Sequence, residues 1–245
     1  MSGAPHPTLP ISLIVAQLAH VSHDRANLAN METKTERSEL TLAAILDTAL
    51  VMAAAEGLES LTIGEVAKRL GLSKSGVFSR VGSREALQKA VIEEYDRRFL
   101  QDVFVPALRE PRGLPRLNAI VRLWLQRVRN VESTRGCLYC KGAFEYDERP
   151  GEVRALLEDG IRRWRAALKR TVVQAIDCGH LMPGTDADQL VFEMDSLFVG
   201  LMRDARFLAD AKAADRGWST WYRLLLTYLA PGVMPEPGRP PATTR

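Results

Sequence analysis

The chain has 245 residues, of which 46% are apolar and 26% charged. This is ordinary globular composition with ample core for one large or two modest domains, and it excludes a chain disordered throughout. The net charge of +3 excludes a polycation, so any nucleic-acid footprint must be local. Three cysteines cannot all pair within one chain, so a disulfide framework is not expected and the usage fits a reducing, cytoplasmic setting. No apolar run approaches the ~20 residues of a membrane span, so no membrane partner is expected.

Residues 1–32 form an N-terminal extension. Pro5, Pro7 and Pro10 precede a short apolar run, Ile11 to Ala19, with no Lys or Arg before it, which makes a poor secretory signal. Leu13, Ile14, Gln17, Leu18 and Val21 share one face of a short amphipathic helix. Two readings fit: a disordered or loosely docked extension, or translation that starts naturally at Met31.

A first helix is expected from about Glu36 to Ala55, with Leu42, Ile45, Leu46, Ala49, Leu50 and Ala53 as its stripe and Gly57 as its end. Thr62 with Glu65 three residues on is a capping box, so a second helix starts there and buries Ile63, Val66, Ala67 and Leu70. Gly71 ends it, Ser73 caps a third short helix, and Gly82 with Ser83 breaks and recaps the chain before Arg84. Two short helices joined through a Gly-containing turn fit a helix-turn-helix. From Val66 to Arg84 there are five basic residues (Lys68, Arg69, Lys74, Arg80 and Arg84) and no Asp or Glu. Such an island suits phosphate contact. A solvated helical hairpin in a larger helical protein has the same local pattern.

From about Thr33 to Tyr95 the sequence resembles the N-terminal domain of the TetR family of bacterial transcriptional regulators. The resemblance rests on Ala44–Ala49, Glu56-Gly57, Thr62-Ile63, Val66-Ala67, Gly71-Leu72-Ser73 and Ser83-Arg84-Glu85-Ala86-Leu87. It departs from the family pattern at three positions. Phe78 replaces a usual Tyr and loses a hydroxyl contact to phosphate, Arg80 adds a fixed charge where His or Tyr is common, and Val81 is a smaller plug than the usual Phe. In a helix-turn-helix the second helix enters the major groove with its N-terminal residues towards the bases. Here those are Ser73, Lys74, Ser75, Gly76 and Ser79, with Phe78 on the same short helix. Lys74 suits a guanine, Arg80 and Arg84 suit phosphate, and Thr62 and Ser83 offer helix N-termini. For each the plainer role is capping or solubility.

The helix from Arg84 is expected to run past Tyr95 towards Leu100, with Pro106, Pro111, Gly113 and Pro115 marking a break. Residues 33–95 are thus read as the DNA-binding domain, 96–230 as a larger helical domain and 231–245 as a disordered, Pro- and Gly-rich tail. The larger domain is expected to hold helices at about 115–131, 138–146, 152–176, 186–208 and 218–229. No alternating strand pattern of useful length is present, so the fold class is all-α. Met194, Phe198, Leu201 and Met202, with Trp221 and Leu225 on the last helix, suggest either ordinary core or the homodimer face that the family resemblance implies.

Trp124, Phe144 and Trp164 are candidates for a ligand cavity, with core packing as the alternative. Glu145 and Asp147 stand near enough in sequence to orient a cationic ligand. Cys137-Leu-Tyr-Cys140 has the spacing of a redox pair or half a zinc site, which Cys178 and His180 would complete. A redox motif of that kind expects a βαβ setting, which the sequence lacks, so small apolar fillers are the simpler reading. No Gly-rich phosphate loop, nucleophile elbow or His-based zinc motif is present, so no enzyme, cofactor or metal is expected. The resemblance implies a ligand-responsive regulator, by family default a repressor. It would bind a palindromic double-stranded operator as a homodimer and be released by a small-molecule effector. The alternatives are a thiol- or metal-responsive regulator using Cys137 and Cys140, and a helical adaptor or enzyme that does not bind DNA.

Overall fold

A computed structural model describes residues 38–235. The N-terminal extension, the first residues of the expected first helix and most of the expected tail lie outside the described residues. Backbone contacts divide the chain into Met1–Ile45 and Leu46–Arg245. Of the first unit, the described residues are the opening turns of helix α1 (Ser38–Glu56). Everything below concerns the second unit.

The described residues are helical with no strands, as the sequence pattern implies. After α1, a single 3-10 turn (Leu58–Ser60) leads into α2 (Ile63–Leu70), α3 (Lys74–Val81) and α4 (Arg84–Phe99). Then follow α5 (Leu114–Arg127), α6 (Leu138–Glu145), α7 (Glu152–Asp177), α8 (Ala187–Met202) and α9 (Ala213–Leu226). By length and composition alone α1 is long and apolar enough to cross a membrane. Its residues Ala49, Leu50, Met52, Ala53 and Ala54 are buried and its Asp47 pairs with Arg98 at 2.8 Å, as in a core helix of a small helical domain.

The starts of α2, α3 and α4 share one device. Thr62, Ser73 and Ser83 each accept, through the side-chain oxygen, the N–H three residues on (Glu65, Gly76 and Ala86) at 3.0–3.1 Å. Gly71 ends α2 in the left-handed region (φ 65), and the N–H of Leu72 closes back onto Ala67. Ile63, Val66, Ala67 and Val77 bury the inner faces of α2 and α3, with Leu87, Val91 and Ile92 of α4 buried as well.

Helix α4 runs on past Leu100 and the helical run ends at Ala107, within the stretch that Pro106 to Pro115 marks as a break. The run continues without interruption through a π turn (Leu100–Phe104) and Val105–Ala107, and the wider π turn immediately precedes Pro106. Two further π turns follow α5 (Val128–Glu132) and α8 (Arg203–Phe207). Each inserts a residue and rotates the buried face. In the larger domain α7 packs against α4, α5, α6 and α8, while α9 packs against α5 and α8. The end of the described chain is held by Met182 N–H to the Tyr228 carbonyl (2.9 Å) and Ala230 N–H to the His180 carbonyl (3.1 Å).

Candidate functional site

The basic island changes character once folded. Arg69 pairs with Glu56 at 2.6 Å and Lys68 lies 3.9 Å from Glu65. Arg84 donates to the Leu61 carbonyl (2.8 Å) and to the carbonyl and carboxylate of Glu59 (2.6 and 2.9 Å). It is a tie between α4 and the 3-10 turn, not the open phosphate ligand the sequence suggests. Among the described residues, Lys74 and Arg80 are the members of the island without a carboxylate partner. Both are exposed on α3, and Arg80 rests on the Gly76 carbonyl at 2.8 Å. Ser75 and Ser79 are exposed beside them, and Ser79 donates to the Gly76 carbonyl at 3.0 Å. Phe78, where the family usually has Tyr, is also exposed on this helix. The hydroxyls of Thr62, Ser73 and Ser83 are committed as caps, which fixes the helix N-termini that would face phosphate. Thus α3 offers one exposed surface with two unpaired cations, several hydroxyls and no carboxylate of its own.

The larger domain holds a cavity of about 930 Å³ between α4, α5, α6, α7 and α8. Trp124 and Trp164 both line it and meet edge to face with ring centroids 4.6 Å apart. Phe99 and Phe104 also stand edge-on to Trp164, at 5.1 and 5.3 Å. Phe144 lines the cavity at its lip, largely exposed. Sequence reasoning placed Phe198 on a dimer face, but it stacks on Trp124 and lines this cavity. The other five residues of that face are likewise inside the subunit. Met194, Leu201, Met202, Trp221 and Leu225 are buried, and the Trp221 indole donates to Asn118 Oδ1 at 3.0 Å. The apolar groups that α8 and α9 leave exposed are Phe192, Val199 and Leu226.

Beside the cavity lies a buried polar cluster that the sequence does not announce. Glu132, fully buried, accepts from the Tyr95 hydroxyl (2.7 Å) and from Arg127 Nε (3.0 Å), while Arg127 also pairs with Asp102. Burial pushes the Glu132 carboxyl above its usual range against the pull of Tyr95 and Arg127. Its second oxygen has no partner among the described residues, nor do the indole N–H groups of Trp124 and Trp164.

Cys137 is buried with its sulfur 3.4 Å from the Tyr95 hydroxyl. Cys140 lies against the same cavity, where the Cys137 side chain and burial push its thiol well above the ordinary range. A redox-poised or metal-ready thiol needs the opposite shift. Cys178 is exposed, and His180 uses Nδ1 to accept the Leu114 N–H at 3.1 Å. Among the described residues no three His, Cys, Asp or Glu side chains converge as a metal would require, so the four-ligand set is not assembled.

Helix α6 joins cavity and head. Its Tyr139, Cys140, Ala143 and Phe144 line the cavity, while Glu145 at its end accepts the N–H groups of Leu58 (2.8 Å) and Glu59 (3.1 Å). Glu145 is therefore turned away from any cationic ligand, and Asp147 is exposed and accepts its neighbour's N–H. Gly57 makes the Glu145 bond possible: its φ is 103, and a Cβ there would stand 2.4 Å from Glu145 Oε1. Lys141 donates to the Ala55 carbonyl at 2.6 Å, and Gln88 bridges the Leu58 carbonyl (2.7 Å) and the Tyr146 hydroxyl (3.2 Å).

The comparisons with known proteins agree with this geometry. Residues 45–91 match the family described as "Bacterial regulatory proteins, tetR family", and residues 113–221 match "Tetracyclin repressor-like, C-terminal domain". The sequence aligns significantly with no curated protein. A TetR transcriptional regulator from Chloroflexus aurantiacus superposes with a TM-score of 0.67 at 20% identity, covering 80% of this chain and 100% of its own. A TetR-family regulator from Agrobacterium tumefaciens gives 0.69 at 17% identity, covering 79% and 100%. The regulator AibR, crystallised with isovaleryl coenzyme A and operator DNA, gives 0.56 at 21% identity, covering 66% and 85%. The capped helix pair and the helical domain behind it each match their counterpart in sequence, together over more than half of the chain, and so the chain belongs to the TetR family of bacterial transcriptional regulators.

Proposed function

We propose that this protein is a cytoplasmic repressor that reads a palindromic operator as a homodimer and is released when a small molecule fills the cavity. The observation that carries the reading is the outer surface of α3, where Lys74, Ser75, Ser79 and Arg80 are exposed together with no carboxylate on the helix. Lys74 reaches a base edge, preferably guanine, and Arg80 grips phosphate. Residues 33–95 serve as the reading head and 96–230 as the effector and dimer domain. The dimer forms through the exposed side of α8 and α9, where Phe192, Val199 and Leu226 stand open. A two-fold protein matches two half-sites about one DNA turn, ~34 Å, apart. The effector acts only by as much as it prefers the released geometry over the bound one. AibR, with an acyl-coenzyme A and operator DNA in one crystal, supports the pairing of both ligands on this fold.

Genomic DNA fragments pulled down with the purified protein and sequenced test the reading. The wild type is expected to enrich a palindrome that the Lys74→Ala, Arg80→Ala double variant loses, with a salt slope lowered by about 0.9 for each phosphate contact removed. Enrichment of no common sequence by the wild type would defeat it. Sedimentation of Phe192→Glu checks the dimer surface, and an unchanged dimer would move the interface elsewhere.

A further inference from the structure

We propose that the cavity takes an amphipathic anion, a largely apolar ring-bearing body that ends in a carboxylate or similar acidic group at the mouth. This rests on the reading of the cavity as the effector site and adds the chemical class of its ligand.

The body follows from the walls. Phe99, Phe104, Trp124, Trp164 and Phe198 contact one another edge to face or stacked, so the interior presents ring faces and edges. The volume, about 930 Å³, stands at the upper end of small-molecule sites. Leu100, Leu108 and Phe144 line the cavity yet are exposed, which extends the apolar surface outward to the lip. A small polar metabolite would leave most of this surface wet.

The charge follows from the mouth. Five arginines line the cavity, Arg97, Arg116, Arg163, Arg165 and Arg170, against two carboxylates, Asp96 and Asp195. Three of the five are answered: Arg163 by Asp96 (3.0 Å), Arg165 by Asp195 (2.6 Å) and Arg97 by Glu94 (2.7 Å). Arg116 is turned towards the Glu110 carbonyl (3.1 Å) and the Gln174 amide oxygen (3.4 Å), with no carboxylate partner among the described residues. Arg170 is exposed and makes no ion pair among the described residues. Two uncompensated guanidiniums beside an apolar wall attract an anion and repel a cation. The indole N–H of Trp164, buried without an acceptor, adds a donor for an oxygen of the same ligand.

Two fluorescent probes separate body from charge. Phenylnaphthylamine is neutral, and anilinonaphthalene sulfonate carries the same rings with an added sulfonate. Each is titrated into the full-length protein while probe emission and tryptophan quenching are followed. The expected result is one site per chain for both, with the sulfonate bound about tenfold more tightly, as a favourable interaction of about 1.4 kcal/mol provides. In Arg116→Glu, Arg170→Glu that preference should vanish while the affinity for phenylnaphthylamine stays, which also shows that the variant is folded. Reversal at a distant exposed arginine, Arg203→Glu, should leave both affinities unchanged. If both probes bind the wild type equally, or the double reversal leaves the tenfold preference in place, the anion inference is overturned and the cavity reading stands. If neither probe binds, or neither responds to Trp164→Ala, the cavity reading fails with it.

Discussion

The reading head and the cavity wall are both built of helices, yet their polar groups are satisfied in opposite ways. On α2 and α3 of the head the caps of Thr62, Ser73 and Ser83 join residues three apart and Arg80 bonds its own helix four residues back, with longer ties such as Arg84 to Glu59 on the side facing α4. Around the cavity, Tyr95 reaches Glu132 across 37 residues, Glu145 reaches Leu58 across 87, and three buried polar atoms of Trp124, Trp164 and Glu132 have no partner among the described residues. Local bonds form with the helix and persist as long as it does. Long-range bonds around the cavity depend on the arrangement of whole helices, and under the proposed function that arrangement is what an effector biases.

The sharpest way to break the contrast is Glu132→Ala. It leaves Arg127 with only the partly exposed Asp102 and takes the acceptor from the Tyr95 hydroxyl. Loss of one member of a buried ion pair costs about 3–5 kcal/mol, which should appear as a lower urea midpoint for the whole chain. Next in size is Glu145→Ala. The amides of Leu58 and Glu59 lose a charged acceptor, at about 2 kcal/mol. Their hydrogen exchange should quicken by roughly 30-fold while amides in α7 keep their protection. If the Leu58 and Glu59 amides do not change, α6 does not hold the head. Ser73→Ala is smaller again, about 1 kcal/mol, and should fray α3 without moving the affinity of the cavity for phenylnaphthylamine.

The same contrast explains what could be read from the sequence. The caps at Thr62, Ser73 and Ser83 and the helix end at Gly71 are local chemistry, and they stand where the residues place them. Spacing also locates the long helices. It locates the apolar face of α8 opposite Asp188, Gln189, Glu193 and Ser196 but does not say whether that face packs within the subunit or against a second copy. Phe198 and Met194 turned inward while Phe192 and Val199 stayed exposed. The polar cluster is hidden because its partners lie elsewhere. Glu132 stands four residues after Val128 and seven after Leu125, on the buried face of a regular helix, but nothing in the sequence says that the Tyr95 hydroxyl and the Arg127 guanidinium meet it there. Arg84 shows the converse, since its charge is legible but the Glu59 carboxylate and Leu61 carbonyl that occupy it come from a distant turn.

The weakest test concerns pH, and here the two regions differ in sign. Glu94 on α4 accepts from Arg97 at 2.7 Å, and that bond, against partial burial and with help from Arg98, holds its carboxyl down to about 2. A carboxyl lower in the folded chain than in the unfolded one stabilises above the unfolded value of 4.5 and loses that contribution as pH falls towards 2. Glu94→Gln should thus cost roughly 1 kcal/mol near neutrality, with the gap to the wild type closing through that acid window. Glu132 is raised by burial, so its charged form is the disfavoured one. The stability tied to its protonated state is complete below 4.5 and is lost as pH rises through the folded value. Glu132→Gln keeps an acceptor for Tyr95 without the charge, so its stability relative to the wild type should improve as pH rises, opposite in direction to Glu94→Gln. Urea midpoints of both variants from pH 3 to pH 8 (roughly the span over which carboxyls of these two kinds titrate) decide the matter. Parallel slopes would mean that Arg127 and Tyr95 outweigh burial and hold Glu132 charged as Arg97 holds Glu94, and that the buried cluster beside the cavity is not the unsettled region that sets this domain apart from the head.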